Sequence, residues 1–321
     1  MAMQNVSSAS RFRHRIEDLH VRVISLVPSA TELLCAVGGE DTLVGRSHEC
    51  DWPPSIKDRP SLTRARTGLG TPAEIDSEVA DAMTRNESLY ELDADLIRQL
   101  QPDVILTQDL CDVCSIDLDS VRSLAASMPN TPEIVSLNPR CMEDVFDDLL
   151  RVGSATDLEA AARTALAQFR ERWWHAQDYV NAYIDGPQVA VIEWTDPLYV
   201  AGHWTPDLVL AAGGRHDLNQ SGAVSRRIEP EDLLEVMPER LVICPCGRTL
   251  EETARDAQAM KETSWWPLLP AVQDSQVMIV DGNAMFSRPG PRLINAMEWL
   301  TSWFQQRTAL HPRDFPAASF S

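Results

Sequence analysis

The sequence is most informative first in what it lacks. No apolar run approaches the roughly 20 residues of a membrane-spanning helix. The first twenty residues carry Arg11, Arg13, His14, Arg15, Glu17 and Asp18, and lack the apolar stretch of about 7–15 residues that a secretory signal requires. The expectation from the chain as written is a cytoplasmic protein with no direct membrane insertion. Basic residues are scarce, 28 Lys and Arg against 48 Asp and Glu for a formal net charge of -20. That balance argues against a nucleic-acid partner and against an anionic membrane surface. There is no Walker loop, no Gly-x-Gly-x-x-Gly after the first strand, no Gly-x-Ser-x-Gly and no His-Glu-x-x-His, so nucleotide-driven and serine-hydrolase chemistry have no support. The seven cysteines are an odd number. A disulfide scaffold is not expected, and metal, redox chemistry or plain burial must account for them.

What remains is an ordinary globular composition, 44% hydrophobic and 24% charged over 321 residues, enough for two domains. The stretch Thr156–Ile184 organises the chain. Leu158, Ala162, Ala165, Leu166, Phe169, Trp173, Ala176, Val180 and Ile184 recur at three- and four-residue steps and form one apolar stripe on a helix. Thr156 and Glu159 have capping-box spacing, and Gly186-Pro187 stops the pattern. Such a helix would run roughly 40 Å, more than one small domain needs. We read it as a strut between two lobes.

The flanks support this reading. Before the strut, apolar strands at 21–27, 42–45, 104–107 and 133–137 alternate with helical patterns, which predicts a mostly parallel sheet covered by helices. After it the order returns, with strands at 188–192 and 276–280. The segment 232–244 echoes 95–107, each giving helix, proline, short strand and a cysteine-bearing loop. The expected architecture is α/β, two doubly wound Rossmann-like lobes joined by one long helix, with a ligand cleft between them. The divisions are a disordered arm at 1–20, lobes at 21–153 and 187–305, the linking helix at 154–186 and an irregular tail at 306–321.

In open α/β sheets, ligands bind beyond the carboxyl ends of the strands. That rule selects six loops, three from each half, at 28–31, 48–54, 108–114, 193–204, 244–247 and 281–291. Five cysteines fall in them: Cys50, Cys111, Cys114, Cys244 and Cys246. Two thiolate pairs can ligate zinc or hold an iron–sulfur cluster, which would make the cleft a metal-dependent enzyme site. Burial as small hydrophobes is the plainer account of each thiol. His48 and His203 are further candidate ligands, each beside tryptophans: Trp52 in one loop, Trp194 and Trp204 in the other. Aromatic clefts with few polar groups suit a large flat ligand. Arg227 and Arg288 could bind carboxylates or amides. Pro28, Ser29 and Thr31 open a helix whose free N–H groups could meet an anion, or cap the helix.

Taken together, 23–32 (Val-Ile-Ser-Leu-Val-Pro-Ser-Ala-Thr-Glu), Leu43-Val-Gly45, His48-Glu-Cys-Asp-Trp-Pro53, Gly202-His-Trp-Thr-Pro-Asp207 with Gly213-Gly214, and Ser287-Arg-Pro-Gly-Pro-Arg292 resemble the substrate-binding proteins of cobalamin and iron-siderophore uptake systems. The resemblance covers about residues 21–305. It implies two α/β lobes on a helical backbone, a cobalamin or related corrinoid held between them, and an ABC permease as partner. It also implies that Pro28–Thr31, Trp52, Trp194, Trp204 and Arg288 line the cleft, with His48 or His203 able to approach cobalt. With its loop cysteines and no signal stretch in its first twenty residues, the chain looks closer to an intracellular branch of the family, and that is the expectation. The function expected is binding without catalysis.

Overall fold

The computed structural model describes residues 21–66, 70–85, 88–109 and 117–320. The arm at 1–20 lies outside them. The first lobe is built from β1 (Val23–Ser25), α1 (Pro28–Ala36), β2 (Leu43–Arg46), β3 (Thr63–Ala65), α2 (Pro72–Thr84), β4 (Tyr90–Leu92), α3 (Ala94–Leu100), β5 (Val104–Thr107), α4 (Leu118–Ala126), β6 (Glu133–Ser136) and α5 (Met142–Ala155). Helix α6 (Glu159–Gln177) follows. The second lobe contains β7 (Val189–Thr195), β8 (Leu198–Val200), α7 (Thr205–Ala211), β9 (Arg226–Arg227), α8 (Pro230–Val236), β10 (Arg240–Ile243), α9 (Leu250–Lys261), α10 (Pro270–Gln273), β11 (Val277–Val280), α11 (Leu293–Phe304) and β12 (Ala317–Ser319).

The first lobe's sheet is fully parallel with strand order β2-β1-β5-β6, beside a separate antiparallel pair β3-β4. The second lobe's sheet has order β12-β11-β10-β7-β8-β9. Its centre, β7-β10-β11, is parallel in the same relative order as β1-β5-β6, and its edges are antiparallel. This is the two-lobed α/β architecture expected from the repeated pattern.

Alternation along the strands explains why both faces of each sheet are covered. Val23, Val104 and Leu106 enter one core of the first lobe, while Ile24 and Ile105 enter the other. In the second lobe Val189, Val191 and Val242 take one face, and Ala190, Ile192, Leu241 and Ile243 the opposite one. Burying each of these Val, Leu and Ile side chains is worth about 1.5–3 kcal/mol relative to exposure. Helix α6 stitches the two lobes together. Ala162 and Ala165 sit in the first core and Ala176 in the second, while Leu166 and Phe169 touch both. Arg172 then fastens α6 to α11, donating to Glu298 (2.9 and 2.6 Å) and to the Asn295 side-chain oxygen (2.6 Å).

Helix α6 is shorter than the apolar stripe predicts. It has 19 residues, about 28 Å, rather than the full 156–184 span. Thr156 does not cap it; its hydroxyl donates to the Val152 carbonyl (2.8 Å) and so ends α5, and Asp157 turns the chain at φ +58°. Leu158, the first residue of the stripe, takes the N-cap position of α6 and packs against the first lobe's core. At the far end Tyr183 and Ile184 are exposed, beyond the helix. Over 306–320 the chain is not the irregular tail expected. Phe315 stacks on Trp299 with ring centroids 4.8 Å apart, and β12 adds an edge strand to β11. The polar region before Ser88 contains α2, started by a capping box in which Thr71 N–H donates to Glu74 (2.8 Å). The 193–204 loop contains the end of β7 and all of β8.

One buried acid stands out on α5. Asp148 is 3% exposed; one of its oxygens accepts from Arg151 (2.8 Å), and the other has no partner among the described residues. Burial pushes its carboxyl up from 3.8 to about 6, against the pull of Arg151. A raised acid contributes stability that is complete below its unfolded value and is lost as pH rises through the folded one. Unfolding free energy is therefore expected to fall by up to about 3 kcal/mol between pH 4 and pH 7 through this group. Denaturant titrations of Asp148→Asn across that range should show this component flattened; an unchanged pH profile would refute the assignment.

Candidate functional site

The carboxyl ends of both central sheets face one seam, and its base is apolar. Leu33 on α1, Phe146 on α5, Phe169 on α6, and Pro291 and Ile294 from the second lobe meet there. Above this base lies a charged network that crosses the lobes. Glu32 on α1 is fully buried. Arg292, at the start of α11, donates to both of its oxygens, through Nε to Oε2 (2.9 Å) and through Nη2 to Oε1. Arg288 donates through Nη1 to Asp51 (2.6 Å) and Glu32 (3.2 Å), and through Nη2 to the Asn283 side-chain oxygen (2.8 Å) and the Glu49 carbonyl (3.2 Å). Asn283 in turn donates to Asp51 (3.3 Å). Burial disfavours ionised Asp51, but the bond and charge of Arg288, with Arg292 and Lys57, outweigh it and hold its carboxyl below the usual range. Two arginines and two carboxylates leave the network neutral.

Two further bridges flank it. On one side, Trp194 Nε1 donates to the Pro72 carbonyl (3.3 Å) and Arg248 Nη2 to the Gly70 carbonyl (2.7 Å), so β7 and the loop after β10 hold the start of α2. Arg248 is also ion-paired to Asp256 (2.9 Å), and its guanidinium lies 5.8 Å from the Trp194 ring. On the other side, the Met142 N–H at the start of α5 donates to Asp207 on α7 (2.9 Å).

The expected site residues divide among these positions. Arg288 and Trp194 sit in the bridges themselves. Trp52 follows Asp51, is 37% exposed, and carries the Arg292 guanidinium 5.4 Å from its ring centroid. Trp204 is buried, stacks with His203 and donates to the Phe286 carbonyl (2.6 Å), which places it in the second lobe's wall. His48 is half-buried. Its Nδ1 is bonded to the Thr63 hydroxyl (2.6 Å) and its ring lies 5.7 Å from Tyr90, which leaves Nε2 as the nitrogen for a ligand. Burial holds His48 below the ordinary histidine value, in the neutral form a metal ligand needs. His203 adopts φ +52°, has a buried Nδ1 with no partner among the described residues, and is likewise lowered, by burial and by Arg140 of the first lobe.

Pro28, Ser29 and Thr31 do start a helix, but Ser29 and Thr31 are buried, and Gly290 lies against the Ser29 carbonyl and Glu32. The Thr31 hydroxyl pairs with Cys50 Sγ (3.0 Å), so this corner is packing within the seam. Arg227 is exposed on the edge strand β9, 3.6 Å from Glu229, away from the bridges. Cys50 and Cys244 are buried in different cores, both with thiols pushed up by burial, Cys50 to about 11. Cys246 is exposed. Cys111 and Cys114 lie outside the described residues. Among the described residues no three His, Cys, Asp or Glu side chains gather as a metal-holding group.

Sequence reasoning passed over Glu32, Asp51, Asn283, Arg292 and Arg248. An acid just after the start of a helix draws no attention in the sequence; Glu32 lies in the second turn of α1 and is buried. The one available signal was the pair of arginines in Ser287-Arg-Pro-Gly-Pro-Arg292 with no acid nearby in the chain.

The periplasmic binding protein family matches residues 23–284. The chain belongs to this family. Among curated proteins, a vitamin B12-binding protein of Photorhabdus laumondii subsp. laumondii is 24% identical over 294 residues, covering 91% of this chain and 90% of that protein. Among solved structures, a periplasmic heme-binding protein of Pseudomonas aeruginosa superposes with a TM-score of 0.69 at 20% identity, covering 94% and 96% of the two chains. A periplasmic vitamin B12-binding protein of Vibrio cholerae gives 0.64 at 20% identity, covering 90% and 98%. For a periplasmic binding protein the seam between the lobes is the natural place to look for a small-molecule site, and the bridges show how its walls are held.

Glu32 is the shared partner of both arginines. Its replacement by Gln should leave two buried guanidinium groups undercompensated and cost about 3–5 kcal/mol. Chemical denaturation of Glu32→Gln checks this; a loss under 1 kcal/mol would show that the network does not hold the lobes.

Proposed function

We propose that this protein is a substrate-binding protein that holds a tetrapyrrole chelate, a corrinoid in the first place, between its two lobes. The observation that carries the reading is the likeness to vitamin B12-binding proteins over both lobes and the helix that joins them, rather than over one sheet alone. Heme-binding structures share the same architecture, which supports the macrocycle class more firmly than the metal inside it. The chain's own residues fit such a ligand. Trp52 and Trp194 offer aromatic faces from opposite lobes, and flat apolar rings pack on them with about 0.5–1.5 kcal/mol beyond area burial. His48, neutral and with Nδ1 fixed by Thr63, is the first candidate to approach the metal through Nε2, because a second hydrogen bond that orients the ring is what a metal-binding imidazole requires. His203, at the opposite flank, is the comparison. An ABC permease is the partner class that a substrate-binding protein serves.

The test is titration of the pure protein with hydroxocobalamin and, separately, with iron protoporphyrin. Absorbance and co-elution on gel filtration are followed. One equivalent of cobalamin is expected to co-elute with a shifted spectrum. Trp52→Ala should weaken binding about tenfold, and His48→Ala should abolish the spectral shift while leaving co-elution. Binding of the porphyrin alone would replace the corrinoid with a heme-type ligand. If neither macrocycle co-elutes or changes its spectrum, the reading is wrong.

A further inference from the structure

The two carboxylates of the seam network play unequal parts. Glu32 is fully buried and gives both oxygens to Arg292. Arg288 is left with a longer contact to Glu32 (3.2 Å) and a short one to Asp51 (2.6 Å). The charge of Arg288, itself 7% exposed, is therefore balanced mainly by Asp51. Asp51 is the one member of the quartet open to solvent, its side chain 40% exposed. It comes from the loop between β2 and β3, and the next residue is the half-open Trp52. A guanidinium is thus held in a fixed orientation by a permanent carboxylate behind it, by Asn283 and by the Glu49 carbonyl, and it meets an accessible carboxylate on its solvent side. A planar fork of this kind matches a carboxylate in geometry as well as charge.

We propose that Arg288 is the recognition group for an ionised carboxylate arm of the ligand, and that Asp51 is an internal counter-ion which the ligand carboxylate displaces. The proposal rests on the seam being the ligand site and divides the ligands it can take: a macrocycle or chelate with a free carboxylate arm displaces Asp51, whereas one with only amide or ester arms, cobalamin included, binds with the Asp51–Arg288 pair left in place. Displacement breaks the Asp51–Arg288 pair and forms an equivalent one with the ligand, so charge balance inside the network is kept. The freed Asp51 returns to water, which its exposure allows at small desolvation cost. Specificity arises because an uncharged arm cannot replace Asp51 without leaving a buried guanidinium unpaired.

Two measurements test this. The first compares iron protoporphyrin with its dimethyl ester on the wild-type protein by tryptophan quenching. The acid should bind at least about tenfold more tightly, one charge-assisted pair, although a protein of net charge -20 repels anions in general. Asp51→Asn, which keeps the side-chain shape, should tighten the acid further and leave the ester unchanged. Equal binding of acid and ester by the wild type would overturn the proposal. The second measurement does not depend on any macrocycle. In Asp51→Ala, added formate should raise the unfolding temperature saturably, with chloride at equal ionic strength as control, and it should not do so in the wild type. No formate effect would overturn the proposal even if tetrapyrroles bind. Should neither macrocycle bind, the tetrapyrrole reading falls and the formate result alone decides the role of Arg288.

Discussion

The carboxylate of Glu32 lies under the seam with no solvent exposure, and two arginines from the other lobe reach it. A buried charge of this kind is stable only while its partners stay in place. The relative position of the lobes is therefore coupled to four side chains. Apolar packing of Leu33, Phe146, Phe169 and Ile294 sets the floor beneath them, but it is non-directional and would tolerate sliding. The guanidinium–carboxylate bonds supply the direction. They place Asp51, and with it Trp52, at one definite position relative to Arg288 and Asn283.

The linking helix has a complementary part. It buries small residues toward each core, Ala162 and Ala165 on one side and Ala176 on the other, with Leu166 and Phe169 shared. Gly153 on α5 allows the close approach, because a Cβ there would meet Ala162 Cβ at 2.4 Å. Arg172 pins the helix to α11, and α11 begins at Arg292, so the strut and the charged network are parts of one framework. The bridges at Trp194 and Arg248 use backbone carbonyls at Gly70 and Pro72 instead of side chains. They hold the start of α2, most of whose residues are exposed.

Among the described residues, Cys50 and Cys244 take places that their positions in the sequence do not reveal. Cys50 lies in the loop after β2 and Cys244 directly follows β10, and each is buried in its own lobe's core. There a thiol serves as a small apolar group, and burial keeps it protonated. The histidines moved the other way. Each is an isolated loop residue in the sequence; in the structure His48 is fixed by Thr63 in the first lobe and His203 is stacked on Trp204 in the second, and burial lowers both imidazoles.

The sequence by itself determined the architecture. Short apolar runs, a period-3.6 stripe and a repeated order of elements are local patterns, and local patterns are enough to specify two α/β lobes and the helix between them. It also carried the loops that meet at the seam, because strand ends follow from strand positions. It did not determine where the strut begins, since Thr156 and Glu159 have the spacing of a capping box, while in the structure Thr156 closes α5 and the strut starts at Glu159. Nor did it show β12 or the role of residues 306–320, because three residues paired to β11 carry too little pattern of their own. Above all, it could not pair Glu32 with Arg288 across 256 positions. An acid in an early helical turn reads as ordinary helix electrostatics. Only burial, with two guanidinium groups brought in by the other lobe, made it the group on which the site depends.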